Sequence, residues 1–380
     1  MCKLMLLLGM GFWAGCAMDS TGEATDPPIA TGESVAASFA WSPMGFARIS
    51  ADGTLLDHFN SSSGGTGVVS SFGSGGTYWV TFNGLASGGF AAGDGGNVQV
   101  TAEGTSNVRC RTINWGGSPN VVVQVQCNAP DGSPATTPLA VAFYRITMPA
   151  PNAFATTTAY AWVTETGTTP SGYNYNASGT FNSAALTSTG NYTITIPNAT
   201  NVNASMMITP YGGSLAGNVC SISSWGAGVV FVECRDRNGA FANTALSFSY
   251  STDGPAPGQQ GAHAWFDGSG ANTSYSAALG EIIHCSVASV TGGRKLSLAL
   301  ITVSGEIAPH DGSPFVRASF ASSYGAAGYC KVESLTSSGG APNSTSTSTT
   351  AVRCYSATGA VVAVPVFTFT HETSDGSGPC

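Results

Sequence analysis

The sequence predicts an all-β protein of three tandem small antiparallel β-sandwich modules, which follow a signal peptide and a flexible tether. Short segments that alternate apolar and polar residues recur along the chain, as strands with one buried face require. No segment shows a sustained 3.6-residue apolar stripe, so we expect almost no helix. A cysteine-containing motif also repeats at a fixed interval of 110 residues, which indicates a structural unit made three times.

The repeat divides the chain into six segments. They are a lipoprotein-type signal peptide at 1–16, a flexible tether at 17–33, β-modules at 34–149, 150–252 and 260–372, and a C-terminal tail at 373–380. The modules open on Trp41, Trp162 and Trp265, which are predicted to lie in the core. The Pro/Gly/Gln stretch at 254–260 is typical of a linker and favours independent modules. The alternative is an array in which each unit needs its neighbour to complete a core.

The repeated motif contains the residues expected of a disulfide-linked hairpin. It reads Cys110-Arg-Thr-Ile-Asn-Trp115, Cys220-Ser-Ile-Ser-Ser-Trp225 and Cys330-Lys-Val-Glu-Ser-Leu335. Each copy is followed by a second cysteine and, five residues later, by a glycine that suits a turn with positive φ. Facing residues of an antiparallel pair lie within the range that a disulfide tolerates. The predicted local cross-strand disulfides are therefore Cys110–Cys127, Cys220–Cys234 and Cys330–Cys354, whereas Cys285 and Cys380 lie outside the repeat and pair by exclusion.

The repeat region also resembles a known kind of module. From Gly96 to Tyr144 the first unit carries most of a "GNVQVTA…C.V..W…V.V.C....G.....F.V.Y" profile. On these residues it is similar to tandem Cys/Trp β-modules of uncharacterised secreted (lipo)proteins of myxobacteria and actinobacteria. The second unit keeps Trp225 and Gly239, while the third has Leu335 in place of the tryptophan and is the diverged copy. The resemblance implies export and implies no known activity.

The N-terminus has the features of an export signal. A short apolar stretch ends at Ala14 and is shorter than the span of about 20 residues that a membrane helix needs. The segment Trp13-Ala14-Gly15-Cys16 resembles the lipobox of bacterial lipoproteins, with Trp13 where that family usually has Leu. We therefore predict lipidation of Cys16 and an outer-membrane, cell-surface or extracellular location. Ordinary cleavage after Ala17 followed by free secretion is one alternative, and an uncleaved anchor is another.

The composition restricts the classes of molecule that the protein can bind. The net charge is −8 and the chain has only three lysines, so nucleic acid, whose recognition needs clustered cations, is excluded. The only predicted contact with a membrane is the lipid anchor. Charged residues are scarce at 8% while aromatics are retained at 10%, which indicates a folded extracellular protein with neutral polar faces. Without Cys2 and Cys16 an even number of cysteines remains, as expected in an oxidising compartment.

Residues that could perform catalysis or bind metal are scattered. The sequence contains no G-x-S-x-G, S-x-x-K, H-E-x-x-H, C-x-x-C or Walker motif. The pairs Asp57-His58 and His310-Asp311 are adjacent, but neighbours on a strand point to opposite faces. Asp131-Gly132 and Asp236-Arg-Asn-Gly239 hint at calcium, yet Ser356-Ala-Thr-Gly359 occupies that turn in the third unit, and turn formation explains the acids. We predict no catalytic residue, no metal and no cofactor.

Two tryptophans are the candidate ligand-binding residues. Trp115 and Trp225 stand near the hairpin tips, an odd number of residues from the first cysteine. If that cysteine faces the core, strand alternation turns them outward. Exposed aromatic rings stack on sugars or fill a pocket of a partner protein. The alternative is that they cover a second packed layer or a neighbouring unit.

These observations predict a non-enzymatic, secreted or lipid-anchored bacterial surface protein, a structural or adhesive β-repeat array. Its expected partners are an extracellular glycan or a surface protein. One alternative is a carbohydrate-binding, lectin-like protein that uses Trp115 and Trp225. Another is a secreted hydrolase with an unrecognised site, around Asp57-His58 or His310-Asp311.

Overall fold

The computed structural model describes residues 44–63, 66–86, 95–145, 158–199, 204–213, 216–251, 260–266, 271–276, 283–289, 297–306, 315–320, 328–338, 345–362 and 367–373. The signal peptide with Cys16, the tether, Trp41, His310-Asp311 and Cys380 lie outside these residues. Cys285 and Trp265 lie in strands of which only the backbone is described.

The regular structure is almost entirely strand. Apart from two three-residue 3₁₀ helices, Ser61–Ser63 and Ser171–Tyr173, every regular element of the described residues is a β-strand. None of the helices found there is long and apolar enough to cross a membrane. The predicted all-β class is confirmed.

The strands fall into three groups of eight, one for each module. The first module contains β1 (Met44–Ile49), β2 (Leu55–Asn60), β3 (Val68–Phe72), β4 (Thr77–Phe82), β5 (Asn97–Ala102), β6 (Arg109–Gly116), β7 (Val121–Asn128) and β8 (Leu139–Tyr144). The second contains β9 (Thr158–Val163), β10 (Asn174–Asn176), β11 (Ser183–Ser188), β12 (Asn191–Thr195), β13 (Ser205–Tyr211), β14 (Val219–Gly226), β15 (Val229–Arg235) and β16 (Ala245–Ser251). The third contains β17 (Gln260–Phe266), β18 (Ala271–Ser276), β19 (Ile283–Ser289), β20 (Ser297–Glu306), β21 (Phe315–Phe320), β22 (Gly328–Ser338), β23 (Thr345–Ser356) and β24 (Phe367–Thr373).

Each group of eight pairs its strands in two antiparallel sets of four with one shared strand order, and a parallel pairing of β13 with β6 joins one set of the second module to one set of the first in a single eight-stranded sheet. The set that holds the first and last strands, here called sheet I, has the orders β2-β1-β8-β5, β10-β9-β16-β13 and β18-β17-β24-β21. The set that holds the disulfide hairpin, here called sheet II, has the orders β3-β4-β7-β6, β11-β12-β15-β14 and β19-β20-β23-β22. The same strand order recurs in all three modules, as the sequence repeat predicts. This recurrence confirms the three tandem antiparallel sandwiches.

The cores of the first two sandwiches are filled by the alternate residues of their strands. In β4, Tyr78, Val80 and Phe82 are fully buried, while the residues between them are partly exposed. Burial of Tyr78 leaves its hydroxyl in need of partners, and it lies 2.9 Å from the carbonyl oxygen of Ala51. Tyr192 is its equivalent in the second module, and its hydroxyl accepts a hydrogen bond from the Thr244 N–H at 2.8 Å. Because of these hydrogen bonds, each buried hydroxyl keeps a partner inside an otherwise apolar core.

The three hairpin disulfides are confirmed. Cys110–Cys127, Cys220–Cys234 and Cys330–Cys354 each join directly facing residues, with Cα–Cα distances of 4.0, 4.1 and 4.0 Å. In the chain-entropy model, closing loops of this size stabilises a fold by about 3 kcal/mol each. The glycines that follow the second cysteines, Gly132, Gly239 and Gly359, have φ of 87°, 83° and 86°, as the predicted turn requires.

The three modules close into a ring. The edge strand of one module's sheet II lies against the edge strand of the next module's sheet I: β6 against β13, β14 against β21, and β22 against β5. The strands β5, β13 and β21 also contact one another, so they surround a pseudo-threefold axis. Since the third module returns to the first, the array is closed and cyclic. This arrangement favours modules that need their neighbours, in place of the independent modules that the 254–260 stretch suggested.

Candidate functional site

Trp115 is buried, so the prediction that it faces outward is wrong. Its side chain is 6% exposed and belongs to the core of the first module. The register of β6 against β7 shifts between Thr112 and Asn114, which leaves Ile113 as an extra residue in a β-bulge. A bulge adds one residue to one strand and so reverses the alternation beyond it. Trp115 therefore lies on the same face as Cys110.

The bulge is part of the repeat. The register shifts at the same place in the other hairpins, between Ile222 and Ser224 and between Val332 and Ser334. Trp225 consequently turns inward as well, and it packs, half-buried, against the core of the second module. In the first two modules the constant spacing from cysteine to tip residue thus places the tip tryptophan over its own core.

Trp115 is covered by the second module. Its ring makes T-shaped contacts with Tyr173 and Tyr211, at centroid distances of 5.6 and 5.1 Å. Trp162 contacts the same two tyrosines at 5.5 and 5.3 Å. The indole N–H of Trp115 donates to the Gly95 carbonyl at 3.3 Å. We call Trp115, Trp162, Tyr173 and Tyr211 the aromatic junction, since it joins the first two modules.

Polar side chains of β5 join the first two modules beside the pseudo-threefold axis. Asn97 donates to the Phe248 carbonyl at 2.9 Å, and Thr209 donates to the side-chain oxygen of Gln99 at 2.8 Å. The Val100 N–H donates to the Thr209 hydroxyl at 2.9 Å. Asn97 and Gln99 are fully buried. A buried network with its partners in place favours one arrangement of the modules over others.

Two buried cations hold equivalent positions at the junctions. Arg111 and Lys331 each follow the first cysteine of their module. Lys331 is fully buried, and its ammonium group donates to the carbonyl of Ser106 in the first module at 2.8 Å. Arg111 donates to the carbonyl of Gly213 in the second module at 3.1 Å. Both cations therefore reach the loop that precedes the sheet II edge strand of the neighbouring module, a role that the sequence analysis missed.

The three modules also meet around a small cavity. It has a volume of about 40 Å³, and the first cysteines Cys110, Cys220 and Cys330 all line it. Beside it, Arg109 donates to the carbonyl of Ala357 in the third module at 2.7 Å, and its guanidinium lies 5.4 Å from the ring centre of Tyr329. A space of this size suits water-sized molecules and is too small for a sugar ring.

The aspartates of the repeated turn stabilise that turn. Asp131 accepts from the Ser133 N–H at 2.8 Å, and Asp236 accepts from the Asn238 N–H at 2.8 Å. The hydrogen bonds from Ser133 lower the pKa of Asp131. Within the described ranges, no group of three or more His, Cys, Asp and Glu residues could hold a metal ion. The geometry agrees with turn formation as the role of these acids.

The pair Asp57-His58 lies on β2. The two side chains do not form a catalytic pair in which the carboxylate orients the histidine as a general base. The two residues face Arg48 and Ala47 of β1 in the register, so their side chains leave opposite faces of the sheet. The contact between them is from the backbone N–H of His58 to the Asp57 carboxylate, at 2.8 Å. Arg48 instead makes a two-pronged ion pair with Glu103, at 2.9 and 3.0 Å.

Comparison with protein-family models, with curated proteins and with solved structures finds no match. The resemblance to secreted tandem modules therefore stays a prediction from the sequence.

We expect Lys331 to contribute a rise in the free energy of unfolding between pH 8 and pH 10. Burial lowers the pKa of its ammonium group from 10.5 to about 8, against the opposing effect of Glu103 and Glu333. In this window Lys331 binds more protons in the unfolded chain than in the folded chain, so its contribution favours folding as the pH rises. The two pKa values bound the full gain at about 3 kcal/mol.

Denaturant titrations of the oxidised protein at pH 8, 9 and 10 measure this gain. Lys331→Met removes the titrating group and leaves the buried tyrosines, which titrate near pH 10 in both proteins, so the stability of the wild type relative to this variant should increase over the same window. Equal slopes for the two proteins would contradict the assignment.

Proposed function

We propose that the chain is a non-enzymatic, exported bacterial surface protein whose three sandwiches act as one body for display or adhesion. One observation supports this above all: the residues that recur in the modules build and join the sandwiches. The paired cysteines close the hairpins, the glycines with positive φ form the turns, and the bulge directs the tip residue onto the core. The repeated chemistry therefore serves architecture.

Contacts between modules support the proposal of a single body. The aromatic junction and the buried Asn97–Gln99 network join modules one and two, and Lys331 and Arg109 join modules three and one. The structural disulfides also fit an oxidising compartment outside the cytosol. Acylation at Cys16 is the proposed means of attachment.

Two structural features argue against the alternative functions, a lectin-like protein and a hydrolase. A lectin-like site that stacks a sugar on Trp115 would have to displace Tyr173 and Tyr211 from its ring. A hydrolase site at Asp57-His58 would need side chains that lie on one face, whereas the register separates them.

Surface display through Cys16 predicts a specific labelling pattern. Cells expressing the full chain and fed a clickable fatty acid should label the wild-type protein, and protease added to intact cells should degrade it. Cys16→Ala should lose both the label and the membrane association. Cys2→Ala is the matched control and should keep them, because Cys2 lies within the signal peptide.

Two outcomes would contradict this proposal. Label that persists in Cys16→Ala would reject acylation at that residue. A wild-type protein that resists added protease until the cells are broken would reject surface display.

A further inference from the structure

The outer face of sheet II in the first module presents a row of four side chains. Ser71, Trp79, Gln124 and Asn114 lie side by side on β3, β4, β7 and β6. They point away from the core, since the residues on either side of Trp79 and Gln124 fill it. We call these four residues the Trp79 row.

The side chains of this row are available to a partner. Ser71 and Asn114 are exposed, and Trp79 and Gln124 are half-exposed. Within the part of the chain that the structure describes, the side-chain polar groups of Ser71, Gln124 and Asn114 make no hydrogen bond, while their backbones pair in the sheet. Their donors and acceptors therefore face solvent with their bonding capacity free.

The Trp79 ring is positioned by close contact with Gly73. A Cβ atom added at Gly73 would come within 2.5 Å of the ring, so the indole packs directly on the glycine. A ring held in this way loses little freedom when it contacts a ligand. The glycine is thus a positioning residue for the exposed surface of Trp79.

One row beside the Trp79 row is neutral and partly apolar, and the row on the other side ends at the buried Arg111. The neutral row aligns Val69, Thr81 and Val122. Val69 is 55% exposed and Val122 is 37% exposed. Neither the Trp79 row nor this neutral row contains a charged residue. An aromatic ring with apolar neighbours, amides and hydroxyls complements a sugar, whose C–H face stacks and whose hydroxyl groups both donate and accept.

The dimensions favour a chain of sugars over a single ring. Neighbouring strands lie about 4.8 Å apart, so the four residues of the row span about 14 Å across an open face. We propose that the Trp79 row binds an uncharged polysaccharide that lies across β3, β4, β7 and β6. This inference goes beyond surface display and does not depend on it, because the face is the same whether the chain is anchored or free.

The second module supplies a matched control surface. The same positions there hold Ala185, Thr193, Phe231 and Ser224. Phe231 is an aromatic side chain with 44% exposure, but no amide flanks it. A general affinity for exposed aromatics would involve both faces, whereas the proposed site involves only the first.

Affinity electrophoresis of the full oxidised protein tests the proposal. Native gels would contain hydroxyethylcellulose, xyloglucan, glucomannan, dextran or, as an acidic comparison, alginate. We expect at least one neutral polysaccharide to retard the wild type and Phe231→Ala equally. Trp79→Ala should weaken that binding by at least about tenfold, and Gln124→Ala should weaken it severalfold.

Several results would overturn the proposal. They are the absence of retardation in every neutral gel, retardation by alginate alone, unchanged binding in Trp79→Ala, and equal loss in Phe231→Ala. If thermal melting shows that Trp79→Ala is unfolded, the polysaccharide binding of Gln124→Ala and Asn114→Ala tests the proposal in its place. The core does not depend on these two side chains, so both variants should fold. The labelling experiment on Cys16 is independent of all these outcomes, so a failure of display and a failure of glycan binding are distinguishable.

Discussion

Replacing Trp115 with alanine should lower the free energy of unfolding by about 4 kcal/mol, within the range for large buried aromatics. The side chain is 6% exposed, so its removal leaves a cavity in the first module. The same substitution removes the ring that Tyr173 and Tyr211 of the second module contact. The loss therefore affects both the core of one sandwich and its junction with the next.

Trp225→Ala is the matched control. Trp225 follows the same bulge at the same distance from its cysteine, but it is half-buried. We expect a loss of about 1–2 kcal/mol, since less apolar surface returns to water. Denaturant unfolding of the oxidised proteins, followed by circular dichroism, measures both losses. Equal losses would contradict the distinction between a covered tip tryptophan and a partly exposed one.

Local features of this fold could be predicted from the sequence. The alternation that buries Tyr78, Val80 and Phe82 is readable in β4 itself, because the side-chain period of a strand is two. The cysteine pairs follow from hairpins whose two strands are close in sequence. Likewise, the glycines of the repeated turn indicate positive φ wherever the turn occurs. Each of these features depends on residues within one module.

The orientation of Trp115 could not be read in the same way. Predicting the face of Trp115 by counting residues from Cys110 assumes a regular strand. The β-bulge at Ile113 interrupts the alternation of side chains. A bulge leaves little trace in a single copy of a sequence, since polar and apolar residues both occupy it. The available signal was the repetition: a spacing from cysteine to tip residue that stays constant through hairpins of unequal length indicates a fixed local geometry.

The closed ring depends on contacts between residues far apart in sequence. Lys331 reaches Ser106 across 225 residues, and Gln99 reaches Ser247 across 148. All six residues of β5 are buried, although Asn97, Gln99 and Thr101 have the pattern of a solvated strand face. Polar residues on alternate positions predict exposure unless another module covers them. The sequence does not reveal that cover, and so the ring and its buried cations were not predicted.

Separating the modules should therefore lower the thermal stability more than any single substitution. We expect residues 34–149, expressed alone and oxidised, to melt far below the full chain or to show no cooperative transition. The isolated module loses the rings that cover Trp115, the Thr209 partner of Gln99, and the contacts of Arg109 with the third module. Joining the second module as 34–252 should recover part of the stability, because it restores the aromatic junction. The intact ring should unfold in one transition.

The variant 34–252 with Trp115→Ala separates coupling from simple enlargement of the fragment. If the junction transmits stability, the second module should stabilise the first much less in this variant than in the unmodified fragment, in the manner of a double-mutant cycle. Thermal melting by circular dichroism and by tryptophan fluorescence compares 34–149 and 34–252, each with and without Trp115→Ala, and the full chain serves as the reference. A fragment 34–149 that melts at the temperature of the full chain would show that the sandwiches are independent, as the linker-like stretch at 254–260 suggested. The contacts across the ring would then orient the modules without stabilising them.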